Sequence, residues 1–199
     1  MPAVKNLAAI PPDIIWRLSV EQYHAMILAG ILTDDDPVEL LEGWLVYKMP
    51  KNPPHRVTTK LVREALEQIV PNGWYVDSQE PITISDSEPE PDVVIVMGDT
   101  RQYLTRHPQP PEIALVVEVA DTTLQRDRTT KKRTYARARI PVYWIVNLVE
   151  NQMEIYTRPS GAVEQPDYYH RQDYGMSDSV TVVIDEYQVG TIAVRDLLP

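Results

Sequence analysis

Two acids and a lysine, Asp92, Glu118 and Lys131, follow one another in an order that suits metal-dependent hydrolysis of a phosphodiester. Each acid stands in an apolar run. Pro91-Asp92 opens Val93-Val94-Ile95-Val96, and Ile113-Ala-Leu-Val-Val-Glu-Val-Ala120 carries Glu118 near its end. A carboxylate in such a setting is costly to bury unless it is paired or metal-bound. Two of them on neighbouring strands would give the hard oxygen ligands that hold Mg²⁺ together with waters and a substrate phosphate. Such an ion polarises a phosphoryl oxygen and supplies hydroxide. The competing readings are structural: a strand-end turn for Asp92, an edge position or ion pair for Glu118.

The lysine lies in Arg126-Asp-Arg-Thr-Thr-Lys-Lys-Arg-Thr-Tyr-Ala-Arg-Ala-Arg139, which holds seven of the chain's 19 basic residues and one of its 29 acids. Asp127, Lys131 and Tyr135 recur at i, i+4 and i+8 and so share a helical face, from which Lys132 is turned away. Basic charge this local suits a helix that faces phosphate, with Arg128, Lys132, Arg133 and Arg137 as its contacts. A solvated helix face is the alternative.

The phrases Pro89-Glu-Pro-Asp92, Val116-Val-Glu-Val-Ala-Asp-Thr-Thr123, Asp127-x-x-x-Lys131-x-x-x-Tyr135 and Ile140-Pro-Val-Tyr-Trp-Ile-Val146 resemble the Uma-two family of putative restriction endonucleases, within the PD-(D/E)XK nuclease superfamily. Glu39-Leu-Leu-Glu-Gly43 and His55 extend the likeness, which runs from about residue 20 to 198. The resemblance implies a restriction-endonuclease-like fold of the α/β (α+β) class, a mixed sheet flanked by helices. It also implies that Asp92 and Glu118, with the main-chain carbonyl of Val119, hold Mg²⁺ or Mn²⁺. The superfamily pattern sets lysine two residues after the second acid, where this chain has Ala120, and Lys131 is the substitute supplied by the following helix. Glu39 is the candidate for a third carboxylate, which the superfamily often draws from an earlier element; Glu80 could serve instead. His55 at a helix start could contact phosphate, and Tyr135 could hydrogen-bond the substrate or Lys131.

Several elements must position these groups. Residues 1–18, with Pro2, Pro11 and Pro12, read as an irregular arm, and 19–199 as one domain. Ser19-Val-Glu-Gln22 has capping-box form and opens a helix through about Ala29. Val38 to Met49, broken at Gly43, reads as a hairpin, and Arg56 to Val70 as a helix ended by Pro71-Asn-Gly73. Trp74–Ile84, Asp92–Met97 and Ile113–Ala120 read as strands, with room for a short helix over Thr100–His107. The basic helix spans about Asp127–Arg139, and Val142–Leu148 pairs with Met153–Thr157 as a hairpin. Val180–Ile184 alternates like a strand.

With 199 residues, 43% hydrophobic, the chain can build one sizeable core. It has no cysteine, which excludes thiolate catalysis, disulfides and thiolate metal sites. The N-terminus lacks an apolar signal core and no run approaches a membrane span, so a cytoplasmic protein is expected. The net charge of −10 confines any nucleic-acid contact to a local patch. The reading that unites these features is a metal-dependent DNA endonuclease, dimeric if it cuts both strands. A nuclease fold without cleavage, serving as a nucleic-acid-binding or assembly module, is the alternative; a hydrolase of small phosphate esters is a third.

Overall fold

The computed structural model describes residues 15–33 and 35–199, so most of the expected N-terminal arm lies outside the described residues. A six-stranded sheet is its centre, in the order β3 (Trp74–Asp77), β4 (Val93–Met97), β5 (Ile113–Ala120), β6 (Val142–Asn147), β7 (Gln152–Pro159) and β8 (Tyr168–Gly175). All neighbours are antiparallel except β5 and β6, which are parallel because a helical crossover joins them. Two separate antiparallel hairpins, β1 (Val38–Leu41) with β2 (Trp44–Tyr47) and β9 (Ser179–Ile184) with β10 (Tyr187–Ala193), complete the strands. The architecture is a mixed α+β sandwich.

Strand β5 is apolar at seven of eight positions because every one of them is buried, as expected of a central strand covered on both faces. Alternation then sorts its side chains. Leu115, Val117 and Val119 join a core built with Val62 and Leu66 of helix α2 (Pro53–Glu67) and with the β9–β10 hairpin. Val116 and Ala120 face the opposite way, into a second core with Tyr135, Ala136, Tyr143, Tyr156 and Tyr168. Glu118 stands between Val116 and Ala120 on that second face. Asp92 shares the parity of Val94 and Val96, which also lie there. Both acids are therefore delivered to one side of the sheet, against the crossover.

That crossover is one helical stretch in three parts: α3 (Leu124–Arg126), a π-helical turn over Asp127–Lys131, and α4 (Lys132–Arg137). In the wide turn the Lys132 N–H reaches back five residues to the Asp127 carbonyl. Helix α1 (Val20–Leu28) carries the expected capping box, with Ser19 Oγ accepting from the Gln22 N–H and the Gln22 side chain accepting from the Ser19 N–H.

Three expectations are corrected. Helix α2 begins at Pro53 rather than Arg56, because the Asn52 side chain accepts from the His55 N–H at 3.0 Å and proline is well suited to a first turn. The strand from Trp74 stops at Asp77; Pro81, Pro89 and Pro91 offer no ladder donors, and residues 78–92 run as irregular chain with isolated bridges. Strands β8 and β10 have no counterpart in the sequence reading, since β8 is exposed over Tyr169–Asp173 and β10 is broken by a bulge at Gly190.

Candidate functional site

The chemistry-bearing residues meet in a cleft beside the C-terminal end of β5. Its walls include Glu39 from β1, His55 from α2, Asp92 just before β4, Glu118 from β5, and Asp127 and Lys131 from the π turn. The Val119 N–H donates to Asp92 Oδ2 at 2.9 Å, which joins the two acid-bearing segments directly. His55 Nε2 lies 3.1 Å from the same oxygen. Lys131 Nζ donates to Glu118 Oε1 at 2.8 Å, and the Tyr135 hydroxyl donates to that oxygen at 2.7 Å. Glu39 Oε2 stands 3.7 Å from the same ammonium and accepts from the Glu90 N–H at 3.2 Å. The contacts thus gather on one oxygen of each acid, and Asp92 Oδ1 and Glu118 Oε2 receive no donor from the described residues.

Ala120 is fully buried on Glu118's face, two residues along, where the superfamily pattern has its lysine. The ammonium arrives instead from the crossover. Lys132, the adjacent residue, turns the other way: its Nζ lies 2.8 Å from Asp167 and over the Tyr156 ring.

Charge in the cleft is unbalanced. Burial pushes the Glu118 carboxyl up to about 8, with Asp92 and Asp127 adding to the rise and Lys131 opposing it. Burial draws the Lys131 ammonium down, but Glu118, Glu39 and Asp127 more than offset this and hold it above its ordinary value. Burial also raises Asp127, whose Oδ2 accepts from Thr123 Oγ1 at 2.5 Å. A simple ion pair would depress its carboxylate. Here the buried carboxylates of Glu39, Asp92, Glu118 and Asp127 outnumber the single buried ammonium, so the cluster favours bound cations, whether protons or a metal. Burial and the neighbouring Glu118 carry the Tyr135 phenol well above its usual range, which keeps it a donor.

Other candidates fall elsewhere. Glu80 is exposed and does not line the cleft; the chain turns at its neighbour Gln79, which adopts φ 63° and lines the wall instead. The cations assigned to phosphate are each engaged by an acid of this chain. Arg128 reaches Glu154 and Glu150, Arg133 holds Glu42 at 2.6 Å, Arg137 holds Asp86 at 2.7 Å, and Lys132 holds Asp167. Besides Lys131, the cations along the cleft are Lys48, Lys51 and Arg126; Lys48 pairs with Glu90, whereas Lys51 and Arg126 have no ion-pair partner among the described residues, Arg126 donating to the Tyr47 carbonyl instead. Arg126 belongs to the basic run; Lys51 carried no signal beyond its place just before the Asn52 cap. Asn52 Nδ2, which donates to Asp121 at 2.5 Å, was equally hidden.

It follows that Arg133→Glu acts on the fold before it acts on any ligand. The expected result is a loss of about 1–2 kcal/mol in urea unfolding, small because the guanidinium is partly exposed. A gel-shift salt slope for DNA should stay as in the parent; a flattened slope would restore the helix as the phosphate-binding face.

Among the described residues no helix is long and apolar enough to cross a membrane. The structure is similar to the crystal structure of a putative nuclease belonging to DUF820 from Anabaena variabilis, with a TM-score of 0.64 over 90% of this chain and 97% of that one, at 13% identity. This likeness establishes a shared fold. No curated protein matches the chain. The family model Uma2, "Putative restriction endonuclease", matches residues 20–184, and the chain belongs to that family.

Proposed function

We propose that the protein is a metal-dependent endonuclease that hydrolyses DNA phosphodiester bonds at the Asp92–Glu118 cleft. The observation that carries this reading is the division of labour within each acid. One oxygen is fixed by the protein, Asp92 Oδ2 by Val119 and His55, Glu118 Oε1 by Lys131 and Tyr135; the other is left to ligate. The donor set fits a hard divalent ion, Mg²⁺ or Mn²⁺, held by Asp92, Glu118 and the Val119 carbonyl. Once bound, the ion would neutralise charge on the phosphoryl group and ease deprotonation of an attacking water. Lys131, kept cationic by three carboxylates, stabilises charge that develops at phosphorus. Tyr135 holds Glu118 in place, His55 does the same for Asp92, and Glu39 keeps the ammonium within the cleft. Lys51 and Arg126 receive the DNA backbone, and two copies of the chain would be needed to reach both strands.

Supercoiled plasmid incubated with Mg²⁺ or Mn²⁺ should pass through nicked circles to linear DNA, and chelator should stop it. Metal bound without any product would favour a non-cleaving nucleic-acid module. Turnover of small phosphate esters alone would favour a smaller substrate, a reading that the paired state of Arg128, Lys132, Arg133 and Arg137 supports.

Metal affinity should also depend on pH in a stated direction. Glu118 holds a proton below about 8 and must lose it to ligate. Apparent affinity for Mn²⁺ is therefore expected to rise with pH, by up to about tenfold per unit, and to level off above that value. Calorimetry in buffers of different ionisation enthalpy would show the released proton; a flat profile would mean that Glu118 is not a ligand.

A further inference from the structure

We infer that the protein has a second metal site, built from His24, Glu88 and His107, for a divalent transition metal of the Zn²⁺ type. His24 comes from α1, Glu88 from the irregular chain before β4, and His107 from the segment between β4 and β5. Each offers one ligand atom, and these atoms all lie within 4.8 Å of one another, the only such convergence of metal-type side chains among the described residues. His24 Nε2 and His107 Nε2 lie 2.8 Å and 3.9 Å from the same oxygen, Glu88 Oε1. In a tetrahedral shell with bonds near 2.0–2.1 Å, ligand atoms stand roughly 3.4 Å apart, so these separations bracket the requirement.

The state of Glu88 is the stronger argument. Its side chain is 3% exposed, yet its ion-pair partners among the described residues are the two histidines and no lysine or arginine. Thr83 Oγ1 donates to Oε2 at 2.8 Å and fixes the carboxylate's orientation, as an outer partner does for a metal ligand. A buried carboxylate without a permanent cation needs positive charge from another source. The histidines remain about two-fifths exposed on their outer side, which leaves a path for an ion and room for water as a further ligand.

The two sites would sort ions by donor type. Two imidazoles and a carboxylate prefer Zn²⁺ and its neighbours, whereas the ligand set proposed for the other cleft, Asp92, Glu118 and the Val119 carbonyl, is all oxygen and suits Mg²⁺ or Mn²⁺. The inferred site has a positional consequence. The buried residues that seat α1 are few, Val20, Tyr23 and Leu40. A metal joining His24 and His107 to Glu88 would clamp α1 and the His107 segment to residues 88–92, the stretch that ends in Asp92. Lys48 and Glu90 line both the cleft and the cavity beside Glu88 and His107, so the two sites share a wall.

The test uses the full chain with no DNA, and so stands apart from the nuclease reading. The chain has four histidines, at 24, 55, 107 and 170, few enough for each imidazole to be followed by long-range ¹H–¹⁵N correlation. With Mg²⁺ in excess, one equivalent of Zn²⁺ should shift the ring nitrogens of His24 and His107 together, leave His170 unmoved and raise Tm. Glu88→Gln should weaken Zn²⁺ binding by about tenfold or more. If His24 and His107 stay unmoved, or only His55 responds, the site is a hydrogen-bonded cluster and the inference fails.

Discussion

Glu118→Gln is expected to lose metal-dependent DNA cleavage by roughly a thousandfold or more, the size of effect that follows when several kcal/mol of metal-assisted stabilisation disappear. The fold should survive. Removing one partner of a buried ion pair ordinarily costs about 3–5 kcal/mol. Here, however, burial already holds the Glu118 carboxyl near 8, so at neutral pH the neutral amide resembles the form that the metal-free protein mostly adopts. Tyr135 can still donate to the amide oxygen, and Glu39 remains 3.7 Å from Lys131. Asp92→Asn should give the same loss if its free oxygen supplies the other proposed ligand. Calorimetric titration with Mn²⁺ decides the matter: unchanged affinity in both variants would rule out a shared ion.

Lys131→Met should cut single-turnover cleavage by about 10²–10³-fold, the usual consequence of removing one charge-stabilising donor from an active site. Metal affinity should hold or improve, because an ammonium next to the ligand carboxylates repels a dication. Lys132→Met also removes one positive charge, but it releases Asp167 and the Tyr156 ring and reaches nothing in the cleft. Its rate should stay near that of the parent. Plasmid nicking at saturating Mg²⁺ compares the two, and equal rates would take Lys131 out of the chemistry and leave Glu118 with a purely structural partner.

What could be read in advance depended on whether a residue's environment is set by its neighbours in sequence. The apolar runs around Asp92 and Glu118 announced buried strands; that both acids reach one face depends on how β4 pairs with β5, which the runs do not state. The spacing of Asp127, Lys131 and Tyr135 announced a common side of a helix. The fate of Arg128, Arg133 and Arg137 was not legible, because their acids lie far along the chain: Glu154 for Arg128, Glu42 for Arg133, Asp86 for Arg137. Charge counts record how many cations a segment has, and tertiary pairing decides how many remain available. Strand β8 escaped for another reason: an exposed edge strand such as Tyr168–Gly175 has little apolar alternation to display. The His24–Glu88–His107 cluster could not be anticipated, as the separations between its members follow no metal-ligand pattern.

The π turn has a consequence for the phase of the crossover helix. In an α-helix four residues rotate by about 400°, so side chains at i, i+4 and i+8 drift by about 40° at each step and would wind slowly off the strand below. Asp127 to Lys131 crosses the wider turn, where four residues fall short of a full circle; Lys131 to Tyr135 crosses ordinary α-helix and overshoots. The two errors have opposite sign and largely cancel. Acid, ammonium and phenol are thereby returned to one line along the helix axis, which lets a short crossover set Lys131 and Tyr135 on one oxygen of Glu118 with Asp127 in the same cleft wall, where a uniform helix of the same length would have fanned them apart.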